Sequence, residues 1–152
     1  MAVRSVEVQV SGTLDLRYTV EGDLSRICIP PLAPPHRTDE LWKHTCFEVF
    51  LSNTGDTYRE FNFSPSTEWA GYDFTGYRTG MAPIDKEWAP GVRIHRNDER
   101  FELEATLRTA LPLRLALAAV IEEEDGRLSY WALKHPSGQP DFHHTESFAL
   151  NL

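Results

Sequence analysis

Two short runs of strict alternation, separated by a polar turn, set the strongest limit on how this chain can fold. The first covers His44 to Leu51. Thr45, Phe47, Val49 and Leu51 fall on one side of an extended strand, and His44, Cys46, Glu48 and Phe50 on the other. The second covers Tyr58 to Ser64. Arg59, Phe61 and Phe63 share one side, and Tyr58, Glu60, Asn62 and Ser64 the opposite one. The cluster Asn53-Thr54-Gly55-Asp56 between them predicts an antiparallel hairpin. Folded about that turn, Glu48 is expected opposite Glu60 and Cys46 opposite Asn62. The segment from Trp69 to Arg78 is expected as the next strand, with Trp69, Gly71 and Asp73 on the polar face and Ala70, Tyr72 and Phe74 in the core.

The rest of the chain repeats the pattern. Val3 to Val10 reads as a strand. Leu14, Leu16, Tyr18 and Val20 alternate with polar residues as a half-buried one. Leu24 to Ile29 reads as a short third strand. The run Pro30-Pro31-Leu32-Ala33-Pro34-Pro35 lacks the donors a sheet interior needs and predicts a stiff connection across the fold. Asp39 to Trp42 reads as a single helical turn, and residues 79–91 as loop. Val92 and Ile94, then Phe101, Leu103, Ala105 and Leu107, predict a further hairpin. Leu113 to Glu122 is a central strand with Leu128 to Leu133 as its partner, and Ser147 to Leu152 a last short strand. About ten or eleven short strands with turn signals between them predict an all-β chain: a single antiparallel β-sandwich domain over residues 1–152.

Composition narrows the function. The net charge is −8 across 152 residues, with no basic cluster, which argues against a nucleic-acid partner. No apolar run approaches the roughly 18 residues of a membrane helix, so no membrane partner is expected. The N-terminus has no apolar leader, and the only cysteines are Cys28 and Cys46, read as free thiols. These features predict a cytoplasmic protein. Glycine-rich phosphate loops and the GxSxG and HExxH motifs are absent from the sequence.

The chemistry therefore concentrates on the polar side of the central hairpin. Two carboxylates, an amide, a histidine and a thiol share it, without lysine or arginine. Facing carboxylates repel unless a proton, a cation or a hydroxyl-bearing ligand lies between them. Hydrogen bonding to vicinal hydroxyls uses these residue types, and indole rings stack on the apolar face of a pyranose. Trp42, Trp69, Glu48, Glu60, Asn62 and Asp73 supply that set, with His44 on the Glu48 face and Glu122 at the end of its apolar strand. The same pair, Glu48 and Glu60, fits the acid and base of a glycosidase. A divalent metal held by His44, Glu48 and His135 or His143, or a haem, is open as a cofactor. So is a structural network with no ligand.

The motif Asp39-x-Leu41-Trp42, then Glu48-Val49-Phe50-Leu51, Tyr58-x-Glu60-Phe61-x-Phe63-Ser64-Pro65, Ala119-x-Ile121-Glu122, Tyr130-Trp131-Ala132-Leu133-x-His135-Pro136 and Pro140-Asp141-Phe142-His143 resembles the DOMON-like superfamily. Within it, the chain resembles small bacterial proteins similar to family-nine carbohydrate-binding modules. The resemblance implies a β-sandwich that holds a sugar between two aromatic rings. It implies Trp42 as one ring, Glu48 as a hydroxyl acceptor, Phe142 or His143 in the region of the second ring and Arg78 as the arginine of the site. The region from Tyr130 to His143, with Trp131 and His135, is expected to close it. Haem-binding relatives use methionine and histidine ligands, and the early part of this chain offers no matching methionine.

Overall fold

The computed structural model describes residues 2–11, 14–52, 57–108, 114–132 and 150–151. The strands are β1 (Val3–Ser11), β2 (Asp15–Gly22), β3 (Cys46–Ser52), β4 (Tyr58–Phe63), β5 (Trp69–Phe74), β6 (Ala82–Pro83), β7 (Gly91–Arg96), β8 (Arg100–Thr106), β9 (Arg114–Glu122), β10 (Leu128–Ala132) and β11 (Leu150–Asn151). They form a β-sandwich. One sheet has four strands in the order β1-β2-β8-β7. The other has seven in the order β10-β9-β3-β4-β5-β6, with β11 also on β9. All the paired strands are antiparallel. No helix among the described residues is long and apolar enough to cross a membrane.

The period-two residues meet between the sheets. Leu16, Tyr18 and Val20 from β2 and Phe101, Leu103 and Ala105 from β8 pack against Phe47, Val49, Leu51, Phe61, Phe63, Leu115 and Leu117 of the larger sheet. Phe47 stacks on Phe101 with ring centroids 5.8 Å apart and lies 5.2 Å from the Tyr18 ring. The Tyr18 hydroxyl crosses the core and donates to the Glu48 main-chain carbonyl at 2.7 Å. Tyr18→Phe is expected to cost about 1 kcal/mol, read as a lower denaturant midpoint at unchanged slope. An unchanged midpoint would show that this bond does not hold β3 to the opposite sheet.

Expected and observed elements differ in three places. Leu24 to Ile29 is not a strand. The Asp23 side chain accepts from the Ser25 N–H at 3.2 Å and the Ser25 hydroxyl at 2.6 Å, which turns Leu24–Arg26 into a 3₁₀ turn. Of this segment, Ile27 alone makes a β-bridge, to Glu123. Inside residues 79–91, β6 adds a two-residue edge to β5, and Lys86–Trp88 is a 3₁₀ turn. The third difference is in β5. The return from β4 is tight: the Ser64 N–H donates to the Glu68 carbonyl at 2.9 Å and the Thr67 N–H to the Ser64 carbonyl at 3.0 Å. This sets Trp69 opposite Phe63 and Gly71 opposite Phe61. The alternation is thus inverted from expectation: Trp69 enters the inter-sheet core, and Ala70, Tyr72 and Phe74 take the outer face. A one-residue shift flips every side chain of a strand. Gly71 gives Ile84 room beside Phe61, since a Cβ there would collide with the Ile84 side chain.

The proline-rich connection runs across one end of the larger sheet. The Cys28 N–H donates to the Glu122 carbonyl at 2.8 Å, at the end of β9. Further on, the Ala33 N–H reaches the Ser66 carbonyl at 3.0 Å and the Thr38 N–H the Trp69 carbonyl at 2.8 Å, beside the start of β5. The strap then makes a 3₁₀ turn over Leu41–Lys43, close to the helical turn expected there, and enters β3. The turn expected at 53–56 lies outside the described residues.

Candidate functional site

The outer face of the larger sheet carries the polar cluster. Alternate residues of β3 and β4 place Glu48, Glu60 and Asn62 on it, as the sequence implies. The register differs. Glu48 pairs with Asn62, and Glu60 with Phe50. Acid faces amide rather than acid, which avoids like charges directly opposite, and Val49 meets Phe61 in the core behind them. Across the sheet, one row reads Ala118, Glu48, Asn62, Ala70, and the next reads Ala116, Phe50, Glu60, Tyr72. The two acids are diagonal neighbours.

All three polar side chains are buried: Glu48 is 3%, Glu60 4% and Asn62 0% exposed. Around them lie Leu41, Cys46, Phe50, Tyr58, Tyr72 and Phe74, with Trp42 at the margin. Every residue of β3 is buried, so both of its faces are covered, unlike an ordinary solvated sheet face. Burial pushes the Glu48 carboxyl well above its ordinary range. The Glu60 charge pushes the same way, and Arg78 opposes. Burial raises Glu60 to about 7, against opposition from the Asn62 amide and the Arg78 charge. The amide is near enough to favour the charged form of Glu60. Yet neither its nitrogen nor its oxygen has a partner at hydrogen-bonding geometry. A buried amide left in that state costs about 1–3 kcal/mol.

The neighbours of this cluster are held firmly. Trp42 meets Tyr72 edge to face, with centroids 6.1 Å apart and planes at 70°. The Tyr72 hydroxyl donates to Asp39 at 2.6 Å, Arg37 bonds the same Asp39 oxygen at 3.0 Å, and the Arg37 guanidinium lies 5.4 Å over the Tyr72 ring. Arg78 has a left-handed backbone at φ 51°, a conformation non-glycine residues seldom take, and its N–H donates to the Tyr58 hydroxyl at 3.1 Å. Its positive charge lowers both acids.

An open cleft of about 740 Å³ lies at the end of the same sheet, under the strap. Ser64, two residues beyond Asn62 on β4's path, lines it with Leu41, Thr45 and His44. Its lining includes five carboxylates, Asp39, Glu40, Glu68, Glu122 and Glu124, against a single lysine, Lys43. Ion pairs temper that charge. Lys43 holds Glu40 at 3.1 Å, His36 approaches Glu68 at 3.3 Å, and His44 approaches Glu122 at 3.1 Å.

The expected site residues therefore divide. Glu48, Glu60 and Asn62 come together, with Trp42 at the margin and the Arg78 charge acting on them. His44 and Glu122 are joined to each other in the end cleft, not to Glu48. Trp69 is excluded from the face by the β5 register. Asp73, also turned from it, pairs with Arg59 at 2.6 Å. Trp131 lies opposite Ala119 on β9 and packs toward the inter-sheet core, its indole N–H donating to Ser129 at 2.9 Å. Leu128, Tyr130 and Ala132 are the residues of β10 that share the outer side, opposite Glu122, Val120 and Ala118. His135, Phe142 and His143 lie outside the described residues. Among the described residues, no three His, Cys, Asp or Glu side chains are grouped as metal ligands. Cys46 is buried and its thiol is pushed well up by burial, the opposite of an activated nucleophile.

Sequence reading placed Tyr58 on this face but missed Tyr72, Arg37 and the alanines that flank the acids. The alternation of Ala70, Tyr72 and Phe74 signalled Tyr72, but only once the facing of β5 was known.

No protein-family model matches the chain, and no curated protein matches it in sequence. A solved structure of a proposed carbohydrate-binding protein from Bacteroides uniformis is similar in fold, with a TM-score of 0.57 at 13% identity over 94% of this chain and 74% of that one. At that identity the likeness establishes the shared β-sandwich fold.

Proposed function

We propose that this protein binds a small hydroxyl-rich ligand, a sugar in the first instance, non-covalently on the outer face of the larger sheet. Asn62 carries the reading. A buried amide with an unpartnered donor and an unpartnered acceptor, beside two carboxyls, has the hydrogen-bonding capacity that a pair of vicinal hydroxyls satisfies. Trp42 and the Tyr72 ring give that polar cluster an aromatic margin of the kind that covers a pyranose. The resemblance of the Trp42 and Glu48 motifs to sugar-binding members of the DOMON-like superfamily supports the same reading. So does the proposed carbohydrate binding of the similar fold from Bacteroides uniformis.

The test is a fluorescence and calorimetric titration with neutral and amino monosaccharides and short oligosaccharides. A saturable signal is expected that Trp42→Phe reduces in fluorescence and Asn62→Ala weakens at least tenfold in calorimetry. Absence of saturable binding by any of them in the wild-type protein would overturn the reading.

A further inference from the structure

The proline-rich strap follows a period that belongs neither to a strand nor to an α-helix. Pro30 is half-buried, Pro31 and Leu32 are exposed, Ala33 is half-buried again, and Pro34 and Pro35 are exposed. Burial that returns at every third residue is the mark of a polyproline II helix seated along one of its three edges. The sequence imposes that conformation. Each proline fixes its own φ and holds the residue before it extended, which covers Ile29, Pro30, Ala33 and Pro34. We propose that Pro31 to Pro35 is a preformed recognition segment for a protein module that reads polyproline II helices in a groove lined with aromatic rings.

Three observations carry the proposal. The first is which edges are displayed. The edge through Pro30 and Ala33 faces the protein, and the edges Pro31–Pro34 and Leu32–Pro35 face solvent. A groove of this kind reads prolines three positions apart and receives a neighbouring edge beside them, so both of the edges it needs are free. The second is the apolar character of the ridge. Leu32 is 74% exposed, more than any other large apolar side chain among the described residues, and it stands among exposed prolines rather than alone. A stiff connection accounts for the prolines but gains nothing from a leucine turned to water.

The third is how firmly the ridge is mounted. Before it, the Cys28 N–H donates to the Glu122 carbonyl at 2.8 Å, and after it the Thr38 N–H donates to the Trp69 carbonyl at 2.8 Å. On the inward edge, Ala33 is fixed through both main-chain groups. Its N–H donates to the Ser66 carbonyl at 3.0 Å, and its carbonyl accepts from the Thr67 hydroxyl at 3.0 Å. A ligand already held in its bound conformation loses little further entropy on docking. Pro31 to Pro35 line neither the outer face nor the end cleft, so this surface is separate from the sugar site.

The experiment is a chemical-shift titration of ¹⁵N-labelled isolated SH3, WW and EVH1 domains with the unlabelled full chain. Saturable shifts are expected in the aromatic groove of at least one of the three. Leu32→Asp, and separately Pro31→Ala combined with Pro34→Ala, should each weaken that binding about tenfold. Leu32→Asp alters a solvent-facing side chain, and its melting temperature should match the wild type, which separates lost recognition from lost folding. Absence of saturable groove shifts in all three domains, or shifts that survive both variants, would overturn the inference.

Discussion

Raising the pH from 4.5 to 8 is expected to remove about 3 kcal/mol of stability that the Glu60→Gln protein keeps. In the folded chain Glu60 titrates at about 7, against an ordinary value of 4.5. The folded state therefore keeps a proton that the unfolded chain has already released. This contribution is fully present below about 4.5 and is lost as the pH climbs through about 7, the reverse of the usual carboxylate. A displacement of that size corresponds to about 3 kcal/mol. Glu48 adds to the loss in the same direction, because its carboxyl is also raised by burial and by Glu60. Glutamine has nearly the same shape and no charge, so it removes the Glu60 titration and relieves Glu48. Two other carboxyls move oppositely and do not interfere. Glu68, held low by hydrogen bonds from Thr38 and Ser66, and Asp125, held low by hydrogen bonds from Arg127, favour the folded state as the pH rises through the ordinary carboxylate range, equally in the wild type and in Glu60→Gln, so they cancel in the comparison. Chemical denaturation at pH 4.5, 6, 7 and 8 reads the effect. A wild-type stability that rises over this range, or a Glu60→Gln curve parallel to it, would show that the acid pair is not buried in solution.

Asn62→Leu should stabilise the protein by about 1–3 kcal/mol while abolishing ligand binding. The wild-type amide leaves two hydrogen-bonding atoms without partners in a site with no exposure, and leucine of similar size removes both. A residue that weakens the fold in this way, at the centre of a sheet, is expected where function demands it. The measurements are the melting temperature and a sugar titration on the same preparation. A destabilised variant would mean that Asn62 bonds within the fold, and the structural-network reading would replace the binding one.

Much of this was legible in the sequence, and the reason differs from strand to strand. β2, β8 and the β3–β4 pair alternate strictly, so their burial and the facing of Glu48, Glu60 and Asn62 follow from period two alone. Facing survives a register change of two residues, which is why Glu48 and Glu60 share a side although Asn62, not Glu60, is the partner of Glu48. Facing does not survive a change of one. β5 has apolar residues on both sides, Trp69 among them, so alternation cannot choose between its faces. The Ser64–Glu68 turn decides, and with it Trp69 leaves the site and Tyr72 enters. Trp131 failed for the same reason, as an aromatic next to Tyr130 in a short strand. The pairing of His44 with Glu122, residues 78 positions apart, comes from the path of the strap, which local pattern does not encode.

The most direct test of the outer face as a binding site is the side-chain amide signal of Asn62 in a ¹⁵N-resolved NMR spectrum, assigned by its loss in Asn62→Leu, during titration with glucosamine and glucose. The account predicts a saturable shift of that signal as the unpartnered amide gains hydrogen bonds, with an affinity matching calorimetry and with Trp42 and Tyr72 shifting alongside. An Asn62 signal that stays still while a sugar binds elsewhere, or that stays still because no sugar binds, would contradict it.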